Sequence, residues 1–131
     1  MSSRARDWFR QAEADLTQAR DSYRDAHYEW ACFAAEQAAE KAATSACIAR
    51  GHRSRRHMVT DSLELLRPRA AAIDDDLLDR ARALDKHHFP TRYPNFFASG
   101  APTDLYIRTE AERAIADASA VLEVCRGVLP R

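Results

Sequence analysis

The sequence predicts an all-α fold, an up-and-down helical bundle of four main helices plus one short helix. Apolar residues recur at steps of three and four along most of the chain, which is the period of an amphipathic helix. No segment has the pattern of a strand. Gly51, Pro68 and Pro90 fall where the helical pattern stops, and they separate the predicted helices.

The first two helices are predicted over about residues 4–24 and 28–50, with Gly51 as the end of the second. The second helix is rich in alanine, so another helix can approach it closely. Its small-residue stripe comprises Ala35, Ala39, Ala42 and Ala46. The predicted inward face of the first helix comprises Trp8, Ala12, Leu16, Ala19 and Tyr23.

A short third helix is predicted over about residues 58–66. The fourth begins at the acidic residues 74–76, which suit a helix N-terminus, and ends near His88 because Phe89 precedes a proline. The last begins near Leu105 or, by a capping box over residues 109–112, one turn later. Its predicted inward face comprises Ala111, Ile115, Ala118, Leu122, Cys125 and Leu129.

Composition limits the possible functions. The 131 residues suit a single domain spanning residues 1–131. No apolar run approaches the length that a bilayer requires, and the first residues do not resemble a signal peptide, so we expect a cytoplasmic protein without a membrane partner. Equal numbers of basic and acidic residues argue against a general nucleic-acid coat protein but leave room for a local basic patch.

The three cysteines, Cys32, Cys47 and Cys125, are odd in number and form no CxxC motif. All three lie on predicted apolar helix faces. We therefore expect small buried hydrophobic residues in a reducing compartment, with a reactive thiol as the alternative.

The stretch DKHHFPTRYPNFFASGAPTDLY, residues 85–106, departs from the helical pattern. Prolines on both sides of Arg92 and Tyr93 fix the backbone and hold a guanidinium and a ring in set directions. Arginine suits bidentate phosphate recognition, and tyrosine can stack on a base. The alternative is that Arg92 pairs with a core acid such as Asp85 or Glu40 while Tyr93 packs.

Two motifs carry a resemblance to a known family: WACFAAEQAAEK at residues 30–41 and PTRYP at residues 90–94. In this order and on this helix pattern, the chain resembles a HEPN domain over about residues 4–128. The resemblance implies a bundle that usually dimerises. Many HEPN proteins are encoded beside a minimal nucleotidyltransferase in toxin–antitoxin-like pairs, some are metal-independent ribonucleases, and others have been proposed to bind nucleotides.

From the resemblance we expect a homodimer that acts with a minimal nucleotidyltransferase partner and binds a nucleotide or RNA phosphate. The expected binding residues are Arg92, Tyr93, Lys41 and His57. Lys41 is otherwise a solvated side chain, and His57 is otherwise a helix cap. No cofactor is expected. A third hypothesis is a purely structural dimerisation domain.

The ribonuclease branch of the family carries an arginine followed, after four to six residues, by a histidine. The arginine would stabilise the phosphate charge and the histidine would act as general acid or base. Arg92 has no such histidine, so the best match is Arg82 with His87 or His88. The spacing recurs elsewhere, which makes it a weak motif. No HExxH motif or second histidine pair occurs, so no metal site is expected.

The basic segment RGHRSRRH at residues 50–57 has two interpretations. It is either a solvated loop or a patch for RNA or an acidic partner, whose binding would weaken with salt.

Overall fold

The computed structural model describes residues 3–52 and 57–130, and none of these residues lies in a β-strand. The helices are α1 (Ser3–Arg24), α2 (Tyr28–Ala49), α3 (Val59–Leu66), α4 (Asp75–Asp85), α5 (Pro102–Leu105) and α6 (Arg108–Val128). Short 3₁₀ segments occupy Arg67–Arg69 and Pro94–Phe96. The predicted all-α bundle is confirmed, and the one-turn α5 is an addition to it. Residues 53–56 of the basic segment lie outside the described residues.

Helix α2 is the centre of the bundle, because it packs against α1, α3, α4 and α6. The predicted alanine stripe is confirmed, since Ala35, Ala39, Ala42 and Ala46 have no exposed surface. Methyl side chains let the neighbouring helices come close. Bulkier core side chains come from the surrounding elements, including Leu63, Ile73 and Leu84.

The inward faces of the outer helices are shifted slightly from the prediction. In α1, Phe9 is buried and Trp8 is only partly so. The buried residues Ala5, Phe9, Ala12, Leu16 and Ala19 repeat at steps of four and three, and this series excludes Trp8. In α6, Ile115 is only partly buried and Val121 joins the core, and Leu129, just after the helix, is also only partly buried.

The end of one helix and the capping residues of another differ from the prediction. Helix α4 begins as expected, with Asp74 Oδ1 accepting from the Leu77 backbone N–H at 2.9 Å. It ends at Asp85 rather than near His88, because the backbone N–H groups of residues 87 and 88 donate three residues back and the chain turns. Helix α6 begins at Arg108, about one turn after Leu105, as the second predicted alternative has it. The predicted capping residues 109–112 were wrong, because it is Glu110 Oε1 that accepts from the Ile107 N–H, at 3.2 Å.

Asp85 joins the end of α4 to the start of α3. Its carboxylate accepts from the Val59 N–H at 2.7 Å and from the N–H and hydroxyl of Thr60 at 3.1 and 2.6 Å. These donors include the unsatisfied groups of a helix N-terminus, so a side chain from another helix caps α3. The contact fixes the point from which the loop after α4 departs.

All three cysteines are buried, as predicted. Burial raises the pKa of the Cys32 and Cys125 thiols to about 12. A thiol that keeps its proton is a poor nucleophile, which disfavours the alternative of a reactive cysteine.

Among residues 3–52 and 57–130, no helix combines the length and apolarity needed to cross a bilayer.

Candidate functional site

The outer face of α2 meets the loop that follows α4, and Phe33 lies at the junction. The guanidinium carbon of Arg92 lies 4.4 Å from the centre of the Phe33 ring. The Trp30 ring contacts the same phenylalanine edge-on from the preceding helical turn, at 6.2 Å between ring centres. Residues separated by about 60 positions in the chain therefore form one surface.

Arg92 is held in a fixed direction. Its Nε and Nη2 atoms donate to the His88 carbonyl oxygen at 2.9 and 2.7 Å. Its guanidinium also lies 5.2 Å from the Tyr93 ring and 5.6 Å from the Phe89 ring. Arginine has five N–H donors, so donors remain for an anionic ligand after the carbonyl is satisfied. The alternative pairing with Asp85 or Glu40 was wrong, because both carboxylates have other partners.

Exposed aromatic rings surround this guanidinium. Phe89 and Phe96 are about half exposed and stack in parallel, with 6.0 Å between ring centres and 9° between planes. Tyr93 and Trp30 are also about half exposed. Phe97 instead packs edge-on against Tyr106, which makes it the ring that closes the end of the bundle. Exposed flat rings beside a cation can stack on nucleobases.

A groove of about 590 Å³ opens beside Phe33, between α1 and α2. A volume of this size is ample for a small-molecule ligand. Its lining mixes aromatic and polar side chains: Asp15, Gln18, Ser22, His27, Trp30, Phe33, Ala34, Gln37 and Lys41.

Lys41 lies in this groove but is already paired. Its Nζ is 2.5 Å from Asp15 Oδ2, and both side chains are largely buried. The acid comes from α1, 26 residues away, so a search for partners along α2 alone could not find it. A phosphate at Lys41 has to compete with this carboxylate, which makes Lys41 a weaker anion anchor than Arg92.

Two carboxylates of α2 converge with His88 on the other side of Phe33. Glu36 is buried, and its Oε1 lies 2.7 Å from His88 Nδ1. The amide nitrogen of Gln37 donates to Glu36 at 2.7 Å and to Glu40 at 3.1 Å. His57 Nδ1 lies 3.5 Å from Glu40 Oε1, with the imidazole mostly exposed.

Burial raises the pKa of Glu36 to about 7, against the opposing effect of its hydrogen bonds with His88 and Gln37. Burial also raises the pKa of Glu40. Both shifts have the same cause, because neither carboxylate is fully solvated and no lysine or arginine of the described residues pairs with either. The cluster is therefore an acidic site whose basic neighbours, in the part of the chain that the structure describes, are histidines.

The residues predicted for the ribonuclease chemistry have different neighbours. Arg82 lies at the surface of α4 and pairs with Asp79 at 3.1 Å and Glu64 at 3.6 Å. His87 packs edge-on against Tyr106, and burial lowers its pKa. His88 faces the carboxylate of Glu36. These contacts point the three side chains toward three separate sets of residues.

Sequence reasoning missed Phe33, Glu36, Gln37 and Glu40 as parts of this surface. A signal was present, because residues 33, 36, 37, 40 and 41 lie at three- and four-residue steps and share one face of α2. Their partners come from distant parts of the chain, and periodicity does not report which residues those are.

Six helices in the described part of the chain, with Arg92 held over the aromatic ring of Phe33 on α2, define a small all-α domain. The family model of the HEPN domain matches residues 5–128. The chain belongs to the HEPN domain family, and the predicted membership is confirmed.

Solved structures agree with this assignment. TT1696 from Thermus thermophilus is 40% identical, with a TM-score of 0.92 over 98% of this chain and 100% of that one. An archaeal HEPN homologue, ST0689, is 33% identical, with a TM-score of 0.78 over 96% of this chain and 98% of its own. A HEPN domain protein from Thermotoga maritima is 32% identical, with a TM-score of 0.75 over 92% and 95% of the two chains.

A curated relative carries a functional name. "Putative toxin MJ1304" of Methanocaldococcus jannaschii is 28% identical over 130 residues, which cover 93% of this chain and 86% of the relative.

Proposed function

We propose that this HEPN domain binds a nucleotide or an RNA phosphate and acts as a homodimer with a minimal nucleotidyltransferase partner, in a toxin–antitoxin-like pair. The observation that carries the binding part is the arrangement of Arg92. Its guanidinium is oriented by the His88 carbonyl and the Phe33 ring, with donors left for an anion. Because these contacts already hold the arginine side chain in one orientation, it loses little conformational freedom when it binds a phosphate.

The surroundings of Arg92 favour a nucleotide over a simple anion. Phe89, Tyr93 and Phe96 present exposed rings within the same loop, and stacking on such rings contributes about 1–3 kcal/mol per base. An open groove borders Phe33, the ring that the Arg92 guanidinium covers, and this favours ligand binding over the purely structural hypothesis. Lys41 borders that groove as a second and weaker cation, because it is paired with Asp15. His57 Nδ1 lies 3.5 Å from Glu40 Oε1 with its imidazole mostly exposed, so His57 stays a predicted binding residue.

The partner part of the proposal rests on family membership and on the name of the curated relative. A toxin is neutralised by an antitoxin, and small nucleotidyltransferases are the expected partner of HEPN proteins. Coexpression with a minimal nucleotidyltransferase from the same genome, followed by size-exclusion chromatography, tests for one complex containing both chains. Separate elution of the two chains at micromolar concentration would contradict this part.

Binding is tested by titrating ATP and a short fluorescein-labelled single-stranded RNA into the wild type and Arg92→Ala. We expect Arg92→Ala to weaken binding at least tenfold, about 1.4 kcal/mol, and to make binding less dependent on salt. Arg92→Lys should recover only part of the affinity, because an ammonium lacks the planar fork.

Arg126→Ala is the matched control. Arg126 also lies over an aromatic ring, 5.3 Å from the centre of Phe9, and it is half exposed on another side of the bundle. This variant should bind both ligands as the wild type does. Equal losses in the two variants, or no binding of either ligand by the wild type, would remove the binding part of the proposal.

The second candidate is a metal-independent endoribonuclease toxin that uses Arg82 with His87 or His88. One observation favours it, the toxin name of the curated relative. Incubation with total RNA in EDTA tests it. Cleavage that is lost in Arg82→Ala and in either histidine variant would assign the activity to these residues, whereas intact RNA would leave the binding role.

A further inference from the structure

The side chains of Glu36, Glu40 and His88 form a cluster outside the proposed nucleotide site. One possible ligand atom from each lies within 4.8 Å of those of the other two. The two carboxylates are one helical turn apart on α2, and the histidine is brought to them by the loop after α4, 52 positions from Glu36. Neither the spacing of the glutamates nor the His87–His88 pair predicts this arrangement.

We propose that Glu36, Glu40 and His88 bind one divalent first-row transition-metal ion, of which Zn²⁺ is the representative. Two carboxylate oxygens and one imidazole nitrogen are ligands that such ions accept, and three protein ligands leave a coordination position open. His57, whose Nδ1 is 3.5 Å from Glu40, can approach as a fourth ligand.

The charges of the cluster favour a cation. Two nearby basic residues are already engaged, since Lys41 pairs with Asp15 and Arg92 with the His88 carbonyl, and Lys86 is exposed. No lysine or arginine pairs with Glu36 or Glu40 within the described part of the chain. Buried carboxylates are normally paired with a cationic side chain or bound to a metal, and a divalent ion would neutralise both at once.

The geometry needs only side-chain adjustment. Ligands about 2.1 Å from a tetrahedral zinc ion lie roughly 3.4 Å apart. The 2.7 Å between Glu36 Oε1 and His88 Nδ1 would widen to that value, and the longer separations, none above 4.8 Å, would close by at most about 1.4 Å. The ion would replace the hydrogen bond between His88 Nδ1 and Glu36 Oε1. Gln37 already donates to both carboxylates and holds them on the same side of the helix. Such surrounding contacts orient ligands and raise metal affinity.

The experiment is isothermal titration of the full chain, freed of metal by a chelator, with ZnCl₂. Co²⁺ serves as a spectroscopic probe of the same site, because its visible absorption reports the coordination geometry. We expect one ion per chain, displacement of Co²⁺ by Zn²⁺, and a Kd at least about tenfold higher in Glu36→Gln, Glu40→Gln and His88→Gln. Zn²⁺ should also raise the Tm of the wild type and not that of these variants.

Glu29→Gln is the matched control, because Glu29 is another buried glutamate of α2. It should keep the wild-type Kd. His57 is exposed, so His57→Gln is a milder change than the variants of Glu36, Glu40 and His88. If this histidine is a fourth ligand, His57→Gln should raise the Kd for Zn²⁺ by a smaller factor than they do. Glu40 is the less buried of the two carboxylates, so Glu40→Gln remains informative if Glu36→Gln does not fold.

The proposal is wrong if the wild type takes up no stoichiometric Zn²⁺, or if folded Glu40→Gln and His88→Gln bind it as tightly as Glu29→Gln does. Arg92→Ala separates this proposal from the proposed nucleotide site. The variant should lose nucleotide affinity and retain Zn²⁺ binding, since its hydrogen bonds to the cluster reach only the carbonyl oxygen of His88.

Discussion

The face of α2 that packs against α1 and α6 and the face that meets the loop after α4 are made from the same helix by different means. The first face is almost entirely alanine and is fully buried, for example at Ala35, Ala39 and Ala42. The second carries Phe33, Glu36 and other long side chains that contact residues far away in the chain. Small residues fix the helix positions on one side, and the proposed binding residues lie on the other.

The two faces of α2 tolerate substitutions differently. On the alanine face, a neighbouring helix occupies the space where a longer side chain would go, and protein interiors cannot absorb such volume without strain. On the loop face, Phe33 and Glu40 are only partly buried, so a changed side chain there has room toward solvent, although Glu36 is buried. We therefore expect stability to depend mainly on the first face and ligand binding on the second.

The largest effect on stability is expected from Ala39→Leu. Ala39 has no exposed surface, so the added carbons must push helices apart, and we expect a loss of about 3 kcal/mol in the free energy of unfolding. Urea unfolding monitored by circular dichroism measures it. Ala34→Leu is the control, because Ala34 borders the open groove. The change from alanine to leucine alters the intrinsic helix propensity equally at both positions. Equal losses at the two positions would contradict the proposed difference between the faces.

A smaller loss is expected from Asp85→Asn. An amide presents one acceptor oxygen where the carboxylate accepts three hydrogen bonds from Val59 and Thr60, so the α3 N-terminus loses partners. We expect a loss of about 1–2 kcal/mol in the free energy of unfolding. Asp79→Asn on the same helix removes only an exposed pair with Arg82 and should change stability by less than about 0.5 kcal/mol. The two variants are compared by the same urea titration.

The two faces of α2 also differ in how far the sequence predicts them. Periodicity predicted the four main helices, and the alanine stripe of α2 was correct at every position because close packing repeats along a helix. Arg92 and Tyr93 could be proposed as site residues because the prolines that restrain them adjoin them in the chain. The Asp15–Lys41 pair, the Asp85 cap of α3 and the Glu36–His88 contact depend on how helices are placed in space. A single sequence contains no local pattern for them.

The pH dependence of stability tests how completely the loop closes the bundle at His87. Burial lowers the pKa of this imidazole, with Lys86 acting in the same direction and Glu110 opposing. The unfolded chain therefore binds more protons than the folded one below about pH 6.5, and the contribution of His87 to stability decreases as the pH falls through that range. We expect this effect to be smaller than those of Ala39→Leu and Asp85→Asn. It vanishes at about pH 8, where the imidazole is neutral in both states.

Urea unfolding of the wild type and His87→Gln at about pH 8 and about pH 5.5, on either side of the ordinary histidine pKa, measures this contribution. Glu36 acts oppositely, since its raised pKa makes stability fall as pH rises from about 4.5 to 7, but it acts in both proteins and cancels in the comparison. We expect the wild type to lose more stability than His87→Gln on acidification. Tyr106→Phe removes the hydroxyl 3.4 Å from His87 Nδ1 but keeps the imidazole buried, so it should retain the wild-type pH dependence. If His87→Gln shows the same acid loss as the wild type, His87 is solvated and the loop does not seal that end of the bundle.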